Sequence, residues 1–320
     1  MRHTLRHEAS GATALVTSQF GFNLFSLKLM LGGRLTEILA AGEDFDVQRR
    51  EPARHGIPIL FPFPNRIEAG HFTFQGTAYE IPHPGKPHAN HGFALDAEWE
   101  VRDYVPSGEA PFIEGVFQLS KHAPARLSCW PADGELIVRY TLCQSVLECR
   151  ATIIGRGPGA FPFGLGFHPY FVLPFHPDGD PQNTLIRVPA SRRWQLEQNL
   201  PTGELQLPSA QEQLSEGQPR VALHLDDVYT DLDFSQGTCT CALFDLSLQE
   251  GVLLTMEPGY REVVVYTPPH LPEVIAVEPY TCTTNAINLH ARGLDAGLRV
   301  LAPGESASFV WRLQTARLDG

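Results

Sequence analysis

The residues best suited to move protons in this chain stand beside prolines at the ends of apolar segments. His168 precedes Pro169 in the segment GLGFHPYF (residues 164–171). A residue before proline favours an extended backbone, so the imidazole is expected to project from a stiff segment among aromatic side chains. Histidine titrates near neutral pH, which suits a general acid. The same motif is equally compatible with a histidine that caps an aromatic core.

Two Glu-Pro pairs offer a carboxylate for the complementary proton transfer. Glu278 follows the apolar run VIAV, and a strand is predicted to end there at Pro279. Glu257 follows GVLLTM and precedes Pro258. Loss of water around a carboxylate at the end of a buried strand raises its pKa towards the range of a general base. The residues alone do not rank one pair above the other.

Several polar residues in turns and loops are candidates for holding a ligand. Asn65 and Arg66 precede a predicted hairpin with Gly70 and Gly76 at its turn positions. An arginine on a rigid frame donates two parallel hydrogen bonds to a ligand, although a solvated hairpin arginine is the commoner case. His91 ends a polar loop and is expected to hydrogen-bond a hydroxyl group.

The pattern of histidines and aspartates does not favour a metal site. His83, His88 and His91 lie close in sequence, but they form neither an H-E-x-x-H motif nor a Cys/His set. Residues 223–234 (LHLDDVYTDLDF) contain four aspartates without the glycine and terminal glutamate of a calcium-binding EF-hand loop. We therefore predict no metal, while one of these aspartates remains a candidate hydrogen-bond acceptor for a ligand.

Charge and hydropathy exclude several classes of function. The formal net charge of -12 argues against a protein that neutralises nucleic acid or anionic lipid, and favours a neutral ligand. No apolar run approaches the roughly 20 residues of a membrane-spanning helix, and no secretory core follows the N-terminus, so the cytoplasm is the expected compartment. The six cysteines form no C-x-x-C pair and are predicted to be buried free thiols.

Short strands separated by glycine and proline dominate the predicted secondary structure. A single helical turn is compatible with residues 191–196, and residues 204–216 contain helix formers but no sustained apolar stripe. This pattern predicts an all-β sandwich or barrel, and without a linker we expect one domain over residues 1–320. The clearest predicted strands are residues 112–120, 135–154 with a break near 144–145, 251–256, 263–267, 274–278 and 306–313.

Five short motifs follow one another along nearly the whole chain. They are N-R-I at 65–67, H-G-F at 91–93 with Trp99 eight residues after the histidine, G-F-H-P-Y-F at 166–171, L-D-D-V-Y at 225–229, and V-E-P-Y-T at 277–281 followed by N-A-I-N. In this order and spacing they resemble the aldose 1-epimerase (galactose mutarotase) family. The resemblance implies a large antiparallel β-sandwich with a sugar lying across one concave sheet face.

The resemblance also implies roles for the matching residues. His168 would protonate the ring oxygen of an aldose, and Glu278 would take the proton of the C1 hydroxyl. Glu278 is chosen over Glu257 because no N-A-I-N follows the second glutamate. The implied substrate-binding residues are Asn65, Arg66, His91 and Asp226, the last being preferred to Asp227. The reaction moves protons only, so no nicotinamide, flavin or metal cofactor is implied.

Three alternative functions compete with this interpretation. A hexose-6-phosphate epimerase is favoured by H-G-F-A, but that branch usually continues with arginine where this chain has Leu95, and the acidic balance also weighs against phosphate. A non-catalytic carbohydrate-binding protein is compatible with the same fold, although retention of both proton-transfer residues favours an enzyme. A metal-dependent sugar isomerase built on the three histidines is disfavoured by their spacing.

Overall fold

Antiparallel strands joined by short turns make up most of the chain, as the period-two alternation of apolar residues predicts. The computed structural model describes residues 1–42, 44–48, 51–176 and 179–318. Across these residues the strands are β1 (Arg2–His7), β2 (Thr13–Thr17), β3 (Asn23–Leu31), β4 (Arg34–Glu37), β5 (Ile59–Leu60), β6 (Arg66–Ile67), β7 (His71–Phe74), β8 (Thr77–Glu80), β9 (Ala89–Asn90), β10 (Glu100–Val105), β11 (Ser107–Gly108), β12 (Phe112–Gln118), β13 (Gly134–Cys143), β14 (Val146–Gly155), β15 (Phe161–Phe163), β16 (Gly166–Phe167), β17 (Tyr170–Val172), β18 (Thr184–Arg187), β19 (Ala190–Glu197), β20 (Leu200–Gln206), β21 (Gln218–Pro219), β22 (Asp226–Leu232), β23 (Cys239–Asp245), β24 (Glu250–Met256), β25 (Glu262–Tyr266), β26 (Val274–Tyr280), β27 (Arg299–Leu301) and β28 (Ser306–Arg317).

Helices are few and short. They are α1 (Phe45–Gln48), α2 (Leu119–His122) and α3 (Ala286–Ala291), together with single 3-10 turns such as Pro52–Arg54. The α3 helix is formed by the N-A-I-N segment, for which the sequence predicted no helix. Nowhere in the described ranges is a helix long and apolar enough to cross a membrane.

Two large sheets form the predicted β-sandwich. The nine-stranded sheet has the order β10-β12-β13-β14-β28-β24-β23-β18-β21, and the eight-stranded sheet has the order β20-β19-β22-β25-β26-β16-β5 with β17 also paired to β26. A five-stranded sheet, β11-β1-β2-β3-β4, adds to this framework, and its β1–β11 pair is parallel. The predicted turn near residues 144–145 joins β13 to β14, and the predicted glycine hairpin is β7–β8.

The eight-stranded sheet has two chemically different faces. Val263 and Val265 of β25 are fully buried in the main core, which also contains apolar residues of the nine-stranded sheet. Val264 between them belongs to a separate small cluster with Val228 and Tyr280. Successive side chains of a strand point to opposite faces, so one face packs in the sandwich and the other is free to carry polar groups.

Two local predictions are wrong. Residues 191–196 belong to strand β19, which pairs with both β20 and β22, so cross-strand pairing overrides the weak local helical preference. Strand β26 does not end at Pro279 but continues to Tyr280. Its neighbour is split into β16 and β17, and Pro279 has no ladder partner on that side. The missing proline N–H is therefore tolerated there.

The cysteine prediction is confirmed for four of the six thiols. Cys149, Cys239, Cys241 and Cys282 are buried and unpaired. The prediction is wrong for Cys143, which is exposed, and Cys129 is only partly buried. Cys143 is the last residue of β13, where the strand turns into solvent.

Candidate functional site

A polar cavity of about 350 Å³ contacts residues from the non-core face of the eight-stranded sheet and from the adjoining loops. It brings together all the residues proposed from the sequence as catalytic or substrate-binding groups. They are Asn65, Arg66, His91, His168, Asp226 and Glu278.

The break between β16 and β17 places the two proton-transfer residues side by side. His168 lies in that break, where its backbone N–H donates to the carbonyl of Pro58 at 3.0 Å. Glu278 lies on the adjacent strand β26, between the residues that pair with β16 and with β17. His168 Nε2 is 3.1 Å from Glu278 Oε1. The contact is therefore built into the sheet and does not depend on a long loop.

Glu278 has a buried carboxyl group that accepts a short hydrogen bond from a neutral hydroxyl group. Its side chain is 2% exposed, and the Tyr280 hydroxyl donates to Oε2 at 2.5 Å. Desolvation raises the pKa of Glu278 well above its ordinary value, although the Tyr280 hydrogen bond and the charge of Arg66 oppose the rise. A carboxyl group with a raised pKa is poised for proton transfer near neutral pH.

His168 is equally enclosed. Its ring stacks on Tyr170 with centroids 4.3 Å apart, and Nε2 is 3.2 Å from the Tyr170 hydroxyl. That hydroxyl donates its proton to the carbonyl of Ala53 at 2.6 Å. Burial lowers the pKa of His168 well below its ordinary value.

The pKa values of Glu278 and His168 are shifted in opposite directions, and burial is the largest cause of both shifts. Burial thus favours the protonated carboxyl group of Glu278 and the unprotonated imidazole of His168. Transfer of this proton across the 3.1 Å contact produces a carboxylate and an imidazolium without any change in total charge. A contact of this kind can therefore supply one base and one acid.

Arg66 is held by its neighbours in a position to contact a ligand. Its Nη1 donates to Asn65 Oδ1 at 2.9 Å, and its Nη2 lies 3.3 Å from Asp226 Oδ2. The backbone of Arg66 is fixed as well, because its carbonyl accepts from the Asn285 N–H at 2.9 Å. Asn285 precedes α3, so the N-A-I-N segment after Glu278 positions the arginine.

His91 lies beside this pair on a tightly constrained turn. Its φ is 63° and that of Gly92 is 73°, and its N–H donates to the carbonyl of Asn65 at 2.9 Å. Its ring centroid is 5.7 Å from that of His168. Burial, with the charges of Arg66 and Lys86, lowers the pKa of His91 to about 3, so the ring is neutral.

The structure separates the alternatives that the residues alone left open. Asp226 lines the cavity, whereas Asp227 forms a 2.6 Å ion pair with Arg193 and is not part of the cavity lining. Glu257 directly follows β24 of the nine-stranded sheet and pairs with Arg312 at 3.0 Å, also outside the cavity.

The loop histidines near His91 have structural contacts. His83 places its two ring nitrogens 2.7 Å and 2.9 Å from the backbone carbonyls of Lys86 and Ala69. His88 accepts from the Ala69 N–H at 3.1 Å. Within the described part of the chain, no group of three or more histidine, cysteine, aspartate or glutamate residues is arranged to hold a metal ion.

Sequence reasoning did not single out several further residues of the cavity wall. Two tyrosines lie inside the quoted motifs, each two residues after a predicted proton-transfer residue, and this position was an available signal. The others come from segments that carry no recognisable pattern. The additional polar residues are Arg54, Lys86, Asn90, Tyr170, Tyr266, His270 and Tyr280.

The fold and the site together define a large β-sandwich with a buried histidine–glutamate contact at the wall of a cavity. The chain belongs to the aldose 1-epimerase family, because the sequence model of that family matches residues 1–314. This membership confirms the resemblance seen in the five motifs.

Individual relatives agree with the family assignment. The uncharacterized protein YihR of Escherichia coli K12 is 24% identical over 257 residues, which cover 74% of this chain and 73% of YihR. A galactose mutarotase-like protein from Clostridium acetobutylicum superposes with a TM-score of 0.86 at 25% identity, covering 97% of this chain and 94% of that one. Galactose 1-epimerase from Lactobacillus acidophilus shares the fold with a TM-score of 0.73 at 14% identity, covering 97% and 92%.

Proposed function

We propose that the protein is an aldose 1-epimerase that interconverts the α and β anomers of a free hexose such as glucose or galactose. The observation that carries this proposal is the 3.1 Å contact between Glu278 and His168 at the wall of a polar cavity of about 350 Å³. Around this contact, Arg66, His91 and Asp226 present donors and acceptors suited to sugar hydroxyls.

In the proposed reaction, transfer of the Glu278 proton to His168 first produces one base, the carboxylate, and one acid, the imidazolium. The Glu278 carboxylate takes the proton of the C1 hydroxyl, and the His168 imidazolium protonates the ring oxygen. The bond between C1 and the ring oxygen breaks, and O1 becomes the oxygen of an open-chain aldehyde. Rotation about C1–C2 presents the other face of the carbonyl, and the reverse transfers close the ring as the opposite anomer. Protons and electrons balance over the cycle.

The remaining groups hold the sugar while the ring opens. Asp226 accepts hydrogen bonds from ring hydroxyls, and Arg66, held by Asn65 and Asp226, donates to a hydroxyl oxygen. His91 is neutral, so its ring has one donor and one acceptor nitrogen and adds no positive charge beside the imidazolium of His168. These contacts keep the aldehyde within reach of the acid–base pair.

The test is the rate at which freshly dissolved α-D-glucose and α-D-galactose reach anomeric equilibrium, followed by polarimetry or NMR. Glu278→Gln is expected to lower kcat by about 10²- to 10⁴-fold, because general acid–base catalysis contributes about that factor. Glu257→Gln is the matched control, since Glu257 also precedes a proline but lies outside the cavity. It should retain the wild-type rate.

The assay also separates catalysis from simple binding. If the wild-type protein accelerates no free aldose and no aldose phosphate, the enzyme proposal is wrong, and sugar binding without acceleration would identify a carbohydrate-binding protein. His168→Asn should lower kcat about as much as Glu278→Gln, and the double variant should lose little more, because the two residues act as a unit.

A further inference from the structure

The ring of Tyr170 covers one face of the His168 imidazole. The two ring planes are inclined by only 16°, and the Tyr170 hydroxyl oxygen is 3.2 Å from His168 Nε2. Because the rings are nearly parallel, the atoms of Tyr170 lie above the imidazole plane, whereas a proton on Nε2 lies in that plane. Tyr170 therefore touches His168 without occupying the direction in which Nε2 exchanges a proton.

Hydrogen bonds at both ends of the residue hold Tyr170 in this position. Its backbone N–H donates to the carbonyl of Gly56 at 3.0 Å, and its hydroxyl donates to the carbonyl of Ala53 at 2.6 Å. Ala53 belongs to the 3-10 turn Pro52–Arg54 and lines the cavity. The side chain is buried, so the ring is fixed before a ligand binds. Fixed dipoles of this kind stabilise a charge that develops during a reaction.

The side chains around the His168 ring offer little negative charge. Those described against it are Glu278, Tyr170, His91 and Tyr266, the last two at centroid distances of 5.7 Å and 6.4 Å. Burial, with the charge of Glu278, raises the pKa of Tyr170 far above its ordinary value, so its hydroxyl keeps its proton. Burial also raises the pKa of Tyr266, and His91 is neutral. Of these four groups, Glu278 is the one that becomes an anion near neutral pH.

The proposed reaction removes this anion while the imidazolium still needs it. Glu278 becomes neutral as it takes the proton of the C1 hydroxyl, and it then no longer offsets the charge on His168. An aromatic face attracts a cation, and the attraction is strongest where water is excluded. Tyr170 is stacked on the imidazole, whereas the rings of Tyr266 and His91 are inclined to it by 86° and 76°.

We infer that Tyr170 is a positioning residue whose ring face holds the His168 imidazole towards Glu278 and stabilises the imidazolium that forms during ring opening. The inference rests on the proposed anomerase function and deepens it by naming a residue that acts through His168. This role uses the electron-rich face of the ring and not the hydroxyl proton. Tyr170→Phe should therefore retain kcat to within about threefold, because phenylalanine presents a similar face.

The test varies the electron density of the ring at position 170 while keeping its shape. Tyr170→Phe is compared with variants that carry difluorophenylalanine or pentafluorophenylalanine there, since fluorine withdraws electrons from the ring face and weakens its attraction for a cation. Anomerisation of α-D-glucose and α-D-galactose is followed by NMR. Along this series kcat should fall stepwise, by about tenfold in total, the factor expected for a desolvated cation–π contact. KM should change little, because the imidazolium forms only during the reaction.

Two controls separate this role from a structural one. Tyr229 is a fully buried tyrosine whose hydroxyl also donates to a backbone carbonyl, that of Glu212 at 2.8 Å, but it lies outside the cavity lining. The same three substitutions at Tyr229 should leave kcat unchanged. In the His168→Asn background, the series at position 170 should give no trend in the residual rate, because no imidazolium forms there. A residue that only supports the fold would give equal losses in both backgrounds.

A constant kcat along the fluorinated series would overturn the inference, and so would a trend that persists in the His168→Asn background. A loss in Tyr170→Phe as large as that in His168→Asn would overturn it as well, since the hydroxyl itself would then transfer a proton. A rise in KM without a fall in kcat would assign Tyr170 to sugar binding instead. All these results leave the wild-type rate intact, whereas a wild type that accelerates no aldose would refute the proposed function itself.

Discussion

Glu262 is a buried acid that the proposed mechanism does not use, and it makes stability depend on pH. The residue is fully buried, and neither carboxyl oxygen has a hydrogen bond of normal geometry within the described structure. Thr230 and Trp194 lie near enough to oppose the shift weakly, and Arg261 Nε is 3.6 Å from Oε1. Desolvation nevertheless raises the pKa of Glu262 from an ordinary 4.5 to about 8.

The direction and size of the effect follow from this pKa. The folded chain holds the Glu262 proton more tightly than the unfolded chain does, so the stabilisation is complete below about pH 4.5 and is lost as the pH rises towards about 8. Each pH unit in this window costs about 1.4 kcal/mol. Between about pH 5 and pH 8 the wild type should therefore lose about 4 kcal/mol relative to a variant that cannot ionise.

The perturbation is Glu262→Gln, measured by urea unfolding at several pH values between about 5 and 8. The free energy of unfolding of the variant minus that of the wild type should rise with pH by about 1.4 kcal/mol per unit. Using the difference cancels the contribution of Glu278, whose pKa is also raised. Glu109→Gln, at an exposed position, is the control and should show no such slope. A difference for Glu262→Gln that stays constant across this pH range would refute the reasoning.

Three further changes test other parts of the site. Tyr280→Phe removes the hydroxyl group that donates to Glu278, so it should raise the pKa of that carboxyl group further. The decline of kcat at alkaline pH should then move to higher pH. An unchanged dependence of kcat on pH would contradict a positioning role for Tyr280. Asp226→Asn should raise the KM for glucose by about tenfold, as expected for a lost hydrogen bond from a ligand hydroxyl to a charged acceptor, and an unchanged KM would exclude Asp226 from binding. Gly92→Ala should lower the free energy of unfolding by at least about 2 kcal/mol. The φ of 73° is unfavourable for alanine, and the new Cβ would lie 2.2 Å from the Phe61 carbonyl oxygen. An unchanged urea midpoint would show that the turn relaxes.

Strands were predictable where apolar and polar residues alternate or where apolar residues form a continuous run. They were less predictable where pairing with neighbouring strands determines the position or the end of a strand. The predicted break between β13 and β14 is present, because Gln144 lies in a turn between two strands with clear alternation. The end of β26 was misplaced at Pro279, because a proline within a strand is allowed only where the neighbouring strand is interrupted, and that interruption is a property of the fold.

Only the site residues that lie within the sequence motifs were predictable. His168 and Glu278 were selected by the order of motifs along the chain, and the structure places them in contact. Arg54 and Lys86 belong to a 3-10 turn and a loop with no pattern of their own. Their position at the cavity wall follows from long-range packing, which a single sequence does not display.

Successive residues of β26 point to opposite faces of the sheet. The register of this strand therefore determines both which residues are buried in the core and where Glu278 lies. Val277 is fully buried in the main core, and Glu278, the next residue, lines the cavity. A deletion or insertion of one residue between Val274 and Glu278 would exchange these two environments, which would put a carboxyl group among core valines and an inert side chain beside His168. A change of chain length in this strand would therefore lower the stability of the fold and remove the carboxyl group from the site at the same time.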